Sequence, residues 1–161
     1  MRLSNRSKTP LYNFINTLLL MFVLIGFLSF SLEEYRFNIL GSEAYLLIVI
    51  PLIILLFFYI RGRQIFEYDS DGEALHFRNR NIIPFLSTSV NDEFPKYKLI
   101  NYETLTVLFI RRLYVTISSK SNGSSTLKYE ISYLTKKEIR DLKFSLNKVV
   151  KENKERRQQE K

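Results

Sequence analysis

The chain has 161 residues, no cysteine, one histidine and no tryptophan, and it carries 24 Lys or Arg against 16 Asp or Glu, a formal charge of +8. The missing cysteines exclude disulfide frameworks, cysteine-based zinc sites, thiol nucleophiles and iron–sulfur clusters. The basic excess points to acidic partners such as phospholipid headgroups, nucleotides or nucleic acid.

Residues 1–10 form a basic flank with Arg2, Arg6 and Lys8. Residues 11–32, LYNFINTLLLMFVLIGFLSFSL, hold no charge. An α-helix rises about 1.5 Å per residue and needs roughly 20 residues to cross the hydrocarbon core, so this run predicts a transmembrane helix. Ser29-Phe30-Ser31 is a weak small-x-small cleavage site, but the apolar run is long for a signal peptide and a second one follows closely.

Residues 33–43 make a short loop with Glu33, Glu34 and Glu43 against Arg36. Residues 44–60, AYLLIVIPLIILLFFYI, predict a second, shorter span. Pro51 removes a backbone hydrogen bond in its middle and predicts a kink. Proline of this kind serves as a hinge or packing notch, or is simply tolerated in a membrane helix. Lys and Arg gather outside the two spans, with Arg61 and Arg63 following the second at once. The positive-inside rule then places both termini in the cytoplasm and the loop outside.

Beyond residue 64 the apolar period changes to two. Residues 65–69 and 74–79 predict a β-hairpin about the turn Ser70-Asp71-Gly72-Glu73, with Leu75 and Phe77 on one face and His76 and Arg78 on the other. Residues 82–87 suggest a strand that Pro84 confines to an edge or bulge, and residues 96–102 another. The run TLTVLFI at 104–110 predicts a buried strand, bordered by a turn at Arg111-Arg112. Residues 113–119 alternate cleanly, Ser121-Asn122-Gly123-Ser124 predicts a hairpin turn, and Leu127, Tyr129, Ile131 and Tyr133 alternate after it.

The last element is a helix. Thr135 as N-cap and Glu138 three residues on make a capping box, and Leu134 with Ile139 the matching hydrophobic staple. Ile139, Leu142, Leu146, Val149 and Val150 form its apolar stripe. Residues 151–161, KENKERRQQEK, have no apolar face and read as frayed helix or solvated tail.

The predicted fold is therefore a membrane-anchored α+β chain. Two transmembrane helices precede an antiparallel β-sandwich or half-barrel of about six or seven strands over residues 64–150, closed by one C-terminal helix. The hairpin FEYDSDGEALHFRNR, the hairpin LYVTISSKSNGSSTLKYEISYL and the helix LTKKEIRDLKFSLNKVV together resemble the pleckstrin-homology-like (PH-like) fold. With the two N-terminal spans, the chain resembles bacterial PH-like membrane proteins. That resemblance implies a non-enzymatic domain that binds proteins, lipids or its own copies.

No catalytic constellation accompanies it. His76 has no second His or Cys for a metal site, and there is no Gly-x-Ser-x-Gly elbow, Walker loop or GxGxxG. Asp69-Ser70-Asp71-Gly72-Glu73 lacks the twelve-residue pattern of a calcium loop. No enzyme and no cofactor are expected. The remaining signal is basic: Arg61, Arg63, Arg78, Arg80, Lys96, Lys98, Arg111 and Arg112 fall near turns or strand ends and are the candidate contacts for an anionic ligand or lipid. The competing explanation is a solvated surface that obeys the positive-inside bias.

Two functions follow as expectations. One is an interaction or scaffold module at the cytoplasmic face of the inner membrane, bound to lipids, to a second copy or to a membrane or cytoplasmic protein. The other is a membrane effector whose β domain senses a small anion, such as a signalling nucleotide, and oligomerises the two-helix anchor. Nucleic acid is not an expected partner, because Lys154, Arg156 and Arg157 are interleaved with acids.

Overall fold

The computed structural model describes residues 1–37, 39–83, 88–119 and 123–159. The chain divides into two units. One is Pro10–Arg61; the other joins Met1–Thr9 to Gly62–Lys161.

The first unit is an antiparallel helix pair, α1 (Thr9–Leu32) and α2 (Leu46–Ile60). With the turns that adjoin them, the helical stretches Arg6–Phe37 and Glu43–Ile60 are long and apolar enough to cross a membrane. Helices α1 and α2 are apolar all round, and large side chains such as Phe14, Leu24, Leu28 and Ile53 stand exposed. In water such a surface would be an association hazard; in hydrocarbon it is the ordinary solvent-facing surface. The contacts between the helices follow in antiparallel order. Tyr59 donates its hydroxyl to Asn16 Oδ1, Gly26 faces Leu47 and Pro51, and Phe30 packs on Tyr45 with ring centroids 5.5 Å apart. A Cβ at position 26 would collide with the Leu47 carbonyl oxygen and press on Pro51. Pro51 is buried, so its ring fills the notch that Gly26 leaves, as small residues allow where membrane helices meet.

The second unit holds two antiparallel sheets and a helix. Strands β1 (Arg2–Ser4), β2 (Ile65–Asp69), β3 (Ala74–Arg80) and β4 (Val90–Pro95) form a four-stranded sheet in that order. Strands β5 (Leu99–Val107), β6 (Ile110–Ser119) and β7 (Gly123–Glu130) form a three-stranded one. Helix α3 (Lys136–Gln159) follows. The core draws on both sheets and the helix and centres on Phe77. Its ring stacks on Tyr129 at 4.7 Å and on Phe94 at 5.7 Å, and lies 5.0 Å from that of Tyr68. Leu142 and Leu146 of α3 are fully buried in the same cluster. Helix and sheets are also tied by polar contacts. Tyr102 donates its hydroxyl to the Lys143 carbonyl at 3.1 Å, and Asn153 Nδ2 reaches the carbonyls of Lys96 and Leu99 at 2.7 and 2.8 Å.

The N-terminal segment is the largest departure from the sequence reading, which treats residues 1–10 as a basic flank. Arg2–Ser4 pairs with Asp69, Tyr68 and Glu67 of β2, and Leu3 is buried in the domain core. The strand is only 3 residues long, too short for an alternating pattern to announce it. The helix pair is therefore inserted in the chain between two neighbouring strands of one sheet.

The middle strands also move. Residues 96–98 form a 3-10 turn and the strand begins at Leu99. The strand suggested at 82–87 falls mostly on residues 84–87, outside the described residues, and Ile82 and Ile83 lie outside any strand. The run 104–110 is not a buried strand: β5 ends at Val107 and a two-residue turn at Leu108-Phe109 precedes β6. Arg111 and Arg112 lie within β6. Apolarity suggests burial there, but this hairpin end extends past the core and its apolar side chains stand exposed. The charged run from Lys151 continues α3 to Gln159.

Candidate functional site

Asn5, at 1% exposure, bridges β1 to the chain re-entering the domain. Its Nδ2 donates to the Gln64 carbonyl at 2.8 Å and its Oδ1 accepts the Phe66 N–H at 2.8 Å. Asn79, fully buried at the end of β3, grips Glu130 of the other sheet. Nδ2 donates to the Glu130 carbonyl at 3.0 Å and Oδ1 accepts the Glu130 N–H at 2.8 Å. The Glu130 carboxylate in turn accepts the Arg63 N–H at 2.7 Å. Gly62 stands beside that carboxylate at φ +101°, a conformation open to glycine and strained for other residues.

The eight basic residues singled out in the sequence do not share one rim. Arg61 caps the end of α2, and Arg63 engages Glu130 through its backbone. Arg80 lies opposite Ile65 at the end of β3, and Arg112 pairs in register with Leu105 and Glu130. The other four line four separate grooves: Arg78 one on the four-stranded sheet, Lys96 and Lys98 two along α3, and Arg111 one between β5, β6 and α3.

Charge balance separates these grooves. The one beside Arg78 also takes in Arg2, Arg6 and His76, but Arg2 pairs with Asp69 at 2.8 Å and Arg78 lies 3.7 Å from Glu67. The Asp69 carboxyl is held below its ordinary value by the Asp71 N–H first and by Arg2 second, so it remains ionised and offsets the arginines. His76 sits on the polar face of β3, with Nδ1 3.4 Å from a Glu93 oxygen.

Two grooves have no acid in their walls among the described residues: the one at Lys98, which also takes in Arg156 and Arg157, and the one at Arg111. Thr104, Thr106, Arg111, Lys136 and Lys143 line the latter with Ile131 and Ile139, enclosing about 240 Å³. Three cations and two hydroxyls suit a phosphate-sized anion. The capping box starts the helix that carries Lys136 and Lys143. Thr135 N–H donates to Glu138 Oε2 at 2.6 Å, and Glu138 N–H donates to Thr135 Oγ1 at 3.2 Å. Lys8 Nζ reaches the same carboxylate at 3.0 Å. Burial raises the Glu138 pKa, but the donors on Thr135 and Lys8 outweigh it and leave the group below its ordinary range.

Of this groove the sequence alone singles out Arg111. Lys136 and Lys143 are visible there only as the polar face of a helix, and no local signal joins them to Thr104 and Thr106 across a sheet. Among the described residues, no three His, Asp or Glu side chains converge as metal ligands would. Comparison with protein-family models, with characterised proteins and with solved structures gave no match.

Proposed function

We propose that this protein is a non-enzymatic interaction module of PH-like architecture, anchored in the membrane by α1 and α2 and working at the cytoplasmic face. A four-stranded sheet, a three-stranded sheet and a C-terminal helix around one core are the layout expected of that fold, and bacterial PH-like membrane proteins supply the analogy. The observation that carries the reading is the pairing of β1 with β2. Strands that precede and follow the spans belong to one sheet, so both ends of the hairpin lie on one side of the membrane. The flanking Lys and Arg favour the cytoplasmic side. Cleavage of α1 as a signal sequence would remove β1 and its buried Leu3, which argues for a retained span.

Since the chain has no cysteine, single-cysteine labelling is clean. An impermeant maleimide should reach Ser4→Cys and Ser124→Cys only in inverted vesicles and Glu34→Cys only in intact cells. Labelling of positions 4 and 124 from opposite sides, or of both from outside, would overturn the reading.

The acid-free groove at Arg111 favours a second reading, a sensor of small anions that oligomerises its anchor. Titration of the full chain in detergent with cyclic nucleotides, followed by light scattering, separates the two. Saturable binding with a change of mass selects the sensor, and an unchanged mass across the panel selects the interaction module.

A further inference from the structure

Past the groove at Arg111, the β5–β6 hairpin ends in four exposed apolar residues. Leu105 and Val107 are half exposed, Phe109 is 62% exposed and Leu108 is 87% exposed. Leu108 also has φ +52°, in the left-handed region that Gly or Asn adopts with less strain. The turn therefore presents a large apolar side chain where a small or polar residue would suit both the backbone and water better. Such an outlier at an exposed tip points toward a use.

The position of the tip within the domain matters as much as its composition. Ile131 N–H donates to the Arg111 carbonyl at 2.9 Å, and the neighbouring Glu130 binds Arg63 and Asn79. Lys8 meets Glu138 beside them at the start of α3. Arg111 thus lies at the end of the domain where the chain departs through Thr9 and returns through Gly62. The Leu108-Phe109 turn stands two to three residues beyond Arg111 along the hairpin, about 7–10 Å at the rise of a strand. The turn thus belongs to the same end of the domain as Arg111.

Strand alternation then sorts the chemistry. Thr104 and Thr106 share the face of the cationic groove, where Thr106 pairs with Arg111. Leu105 and Val107 occupy the opposite face, with Arg112 opposite Leu105. An apolar wedge flanked by cations is the pattern of an interfacial anchor. The wedge enters the boundary between headgroups and acyl chains, and the cations hold lipid phosphates.

We propose that the β5–β6 tip is a second membrane contact. Leu105, Val107, Leu108 and Phe109 enter the interface of an anionic leaflet, and Arg111, Lys136 and Lys143 bind the phosphate of a lipid headgroup there. This rests on the reading that α1 and α2 span the bilayer, and charge complementarity selects lipid as the occupant. Such a contact would orient the domain at the surface.

The chain has no tryptophan, so Phe109→Trp in the full chain gives a single reporter. In nanodiscs holding one chain each, with phosphatidylglycerol and brominated lipid, emission from the indole at position 109 should be quenched roughly twofold, as for a side chain at the acyl boundary. Quenching should weaken in discs of phosphatidylcholine alone and in the Arg111→Gln/Lys136→Gln/Lys143→Gln variant, and added inorganic phosphate should not displace it. Leu24→Trp, within α1, reports the spans separately. Quenching at position 24 without quenching at position 109 overturns the tip contact and leaves the spans standing. No quenching at either position overturns both. Quenching at position 109 that ignores both lipid charge and the triple substitution removes the headgroup site, and with it the proposal. Circular dichroism confirms the fold of each variant.

Discussion

Asn5 and Phe66 hold each other as strand partners do, just past the last pair of the β1–β2 register: Asn5 N–H donates to the Phe66 carbonyl at 3.3 Å, and Phe66 N–H donates to Asn5 Oδ1 at 2.8 Å. The asparagine side chain thereby continues the sheet past the last residue of β1. Removing it strands the Phe66 N–H and the Gln64 carbonyl in a buried place. Each orphaned group costs about 1–3 kcal/mol, so Asn5→Ala should destabilise the domain by roughly 2–6 kcal/mol. Asn5→Asp should cost at least as much, since it turns the Nδ2 donor into an acceptor facing a carbonyl. Thermal unfolding of the full chain in detergent checks this, and a melting point unchanged by Asn5→Ala would show that β1 is not held as described.

The chain of contacts from Leu3 to the core also predicts which fragment folds. A protein starting at residue 62 lacks β1, exposing one edge of β2 and opening the core where Leu3 sits. A protein in which a short Gly-Ser linker replaces residues 10–61 keeps the sheet whole, because the two strands it joins are already neighbours. The linked form should be soluble and unfold cooperatively. The truncated form should be less stable by about 2 kcal/mol or more, from the lost burial of Leu3 and the lost edge bonds. Urea titration of the two proteins side by side decides it, and equal midpoints would remove β1 from the fold.

How far the sequence reveals this arrangement depends on the length of each signal. The two apolar helices are long uncharged runs, and the hairpin 65–80 shows alternation with a Gly turn; both are legible. So is the start of α3, because Thr135 and Glu138 sit at the spacing a capping box requires. The strand Arg2–Ser4 is not, since three residues carry no period and its partner β2 lies far along the chain. Residues 104–110 mislead for a physical reason: apolarity reports a preference for leaving water, not the partner that removes it. Here Leu105, Val107 and Leu108 stay exposed within the domain. The groove at Arg111 is half hidden because Lys136 and Lys143 join it only through packing of α3 on the sheet.

Within the helix pair, Gly26 lets α1 approach α2 at Leu47 and Pro51. Gly26→Leu puts a large side chain where even a methyl group would overlap the Leu47 carbonyl. The helices must separate, losing the packing that holds membrane helices together. The substitution should lower the thermal stability of the hairpin by about 1–3 kcal/mol, the range typical of overpacking. Gly26→Ala should have the same sign and a smaller size. A cross-link between cysteines placed at Phe30 and Tyr45, whose rings pack together, reads the separation directly. Undiminished cross-linking in Gly26→Leu would contradict the close approach.

The pH dependence of stability should carry the signature of Glu138. Its pKa in the folded chain lies below the ordinary 4.5. A depressed carboxylate contributes stability that is fully present above the unfolded-state value and is lost as pH falls through the lower folded value. Glu138→Gln should therefore destabilise the protein near neutral pH, by about 1 kcal/mol for a partly exposed pair with Lys8 and a capping contact. The gap to wild type should close as the pH falls below the ordinary carboxylate range. Asp69 is depressed in the same direction and adds to the acid sensitivity of both proteins equally, so the difference between them isolates Glu138. A gap that stays constant from neutral to acid would show that the carboxylate is not the stabilising species.

Leu108 gives a case in which stability and function should move apart. At φ +52° a leucine carries a strain of about 1 kcal/mol relative to glycine, and its exposed side chain gains nothing from the core. Leu108→Gly should therefore leave the domain as stable as before or raise its stability by up to about 1 kcal/mol, less the entropy glycine adds to the unfolded chain. If the tip meets the bilayer, the same change should weaken brominated-lipid quenching in the Phe109→Trp background, because the most exposed apolar side chain of the wedge is gone. Leu108→Asn relieves the backbone in the same way and replaces the apolar group by a polar one, so it should reproduce both effects. A variant that is stabilised yet fully retained at the interface would mean that Leu108 is only a strained turn residue and that its neighbours make the membrane contact.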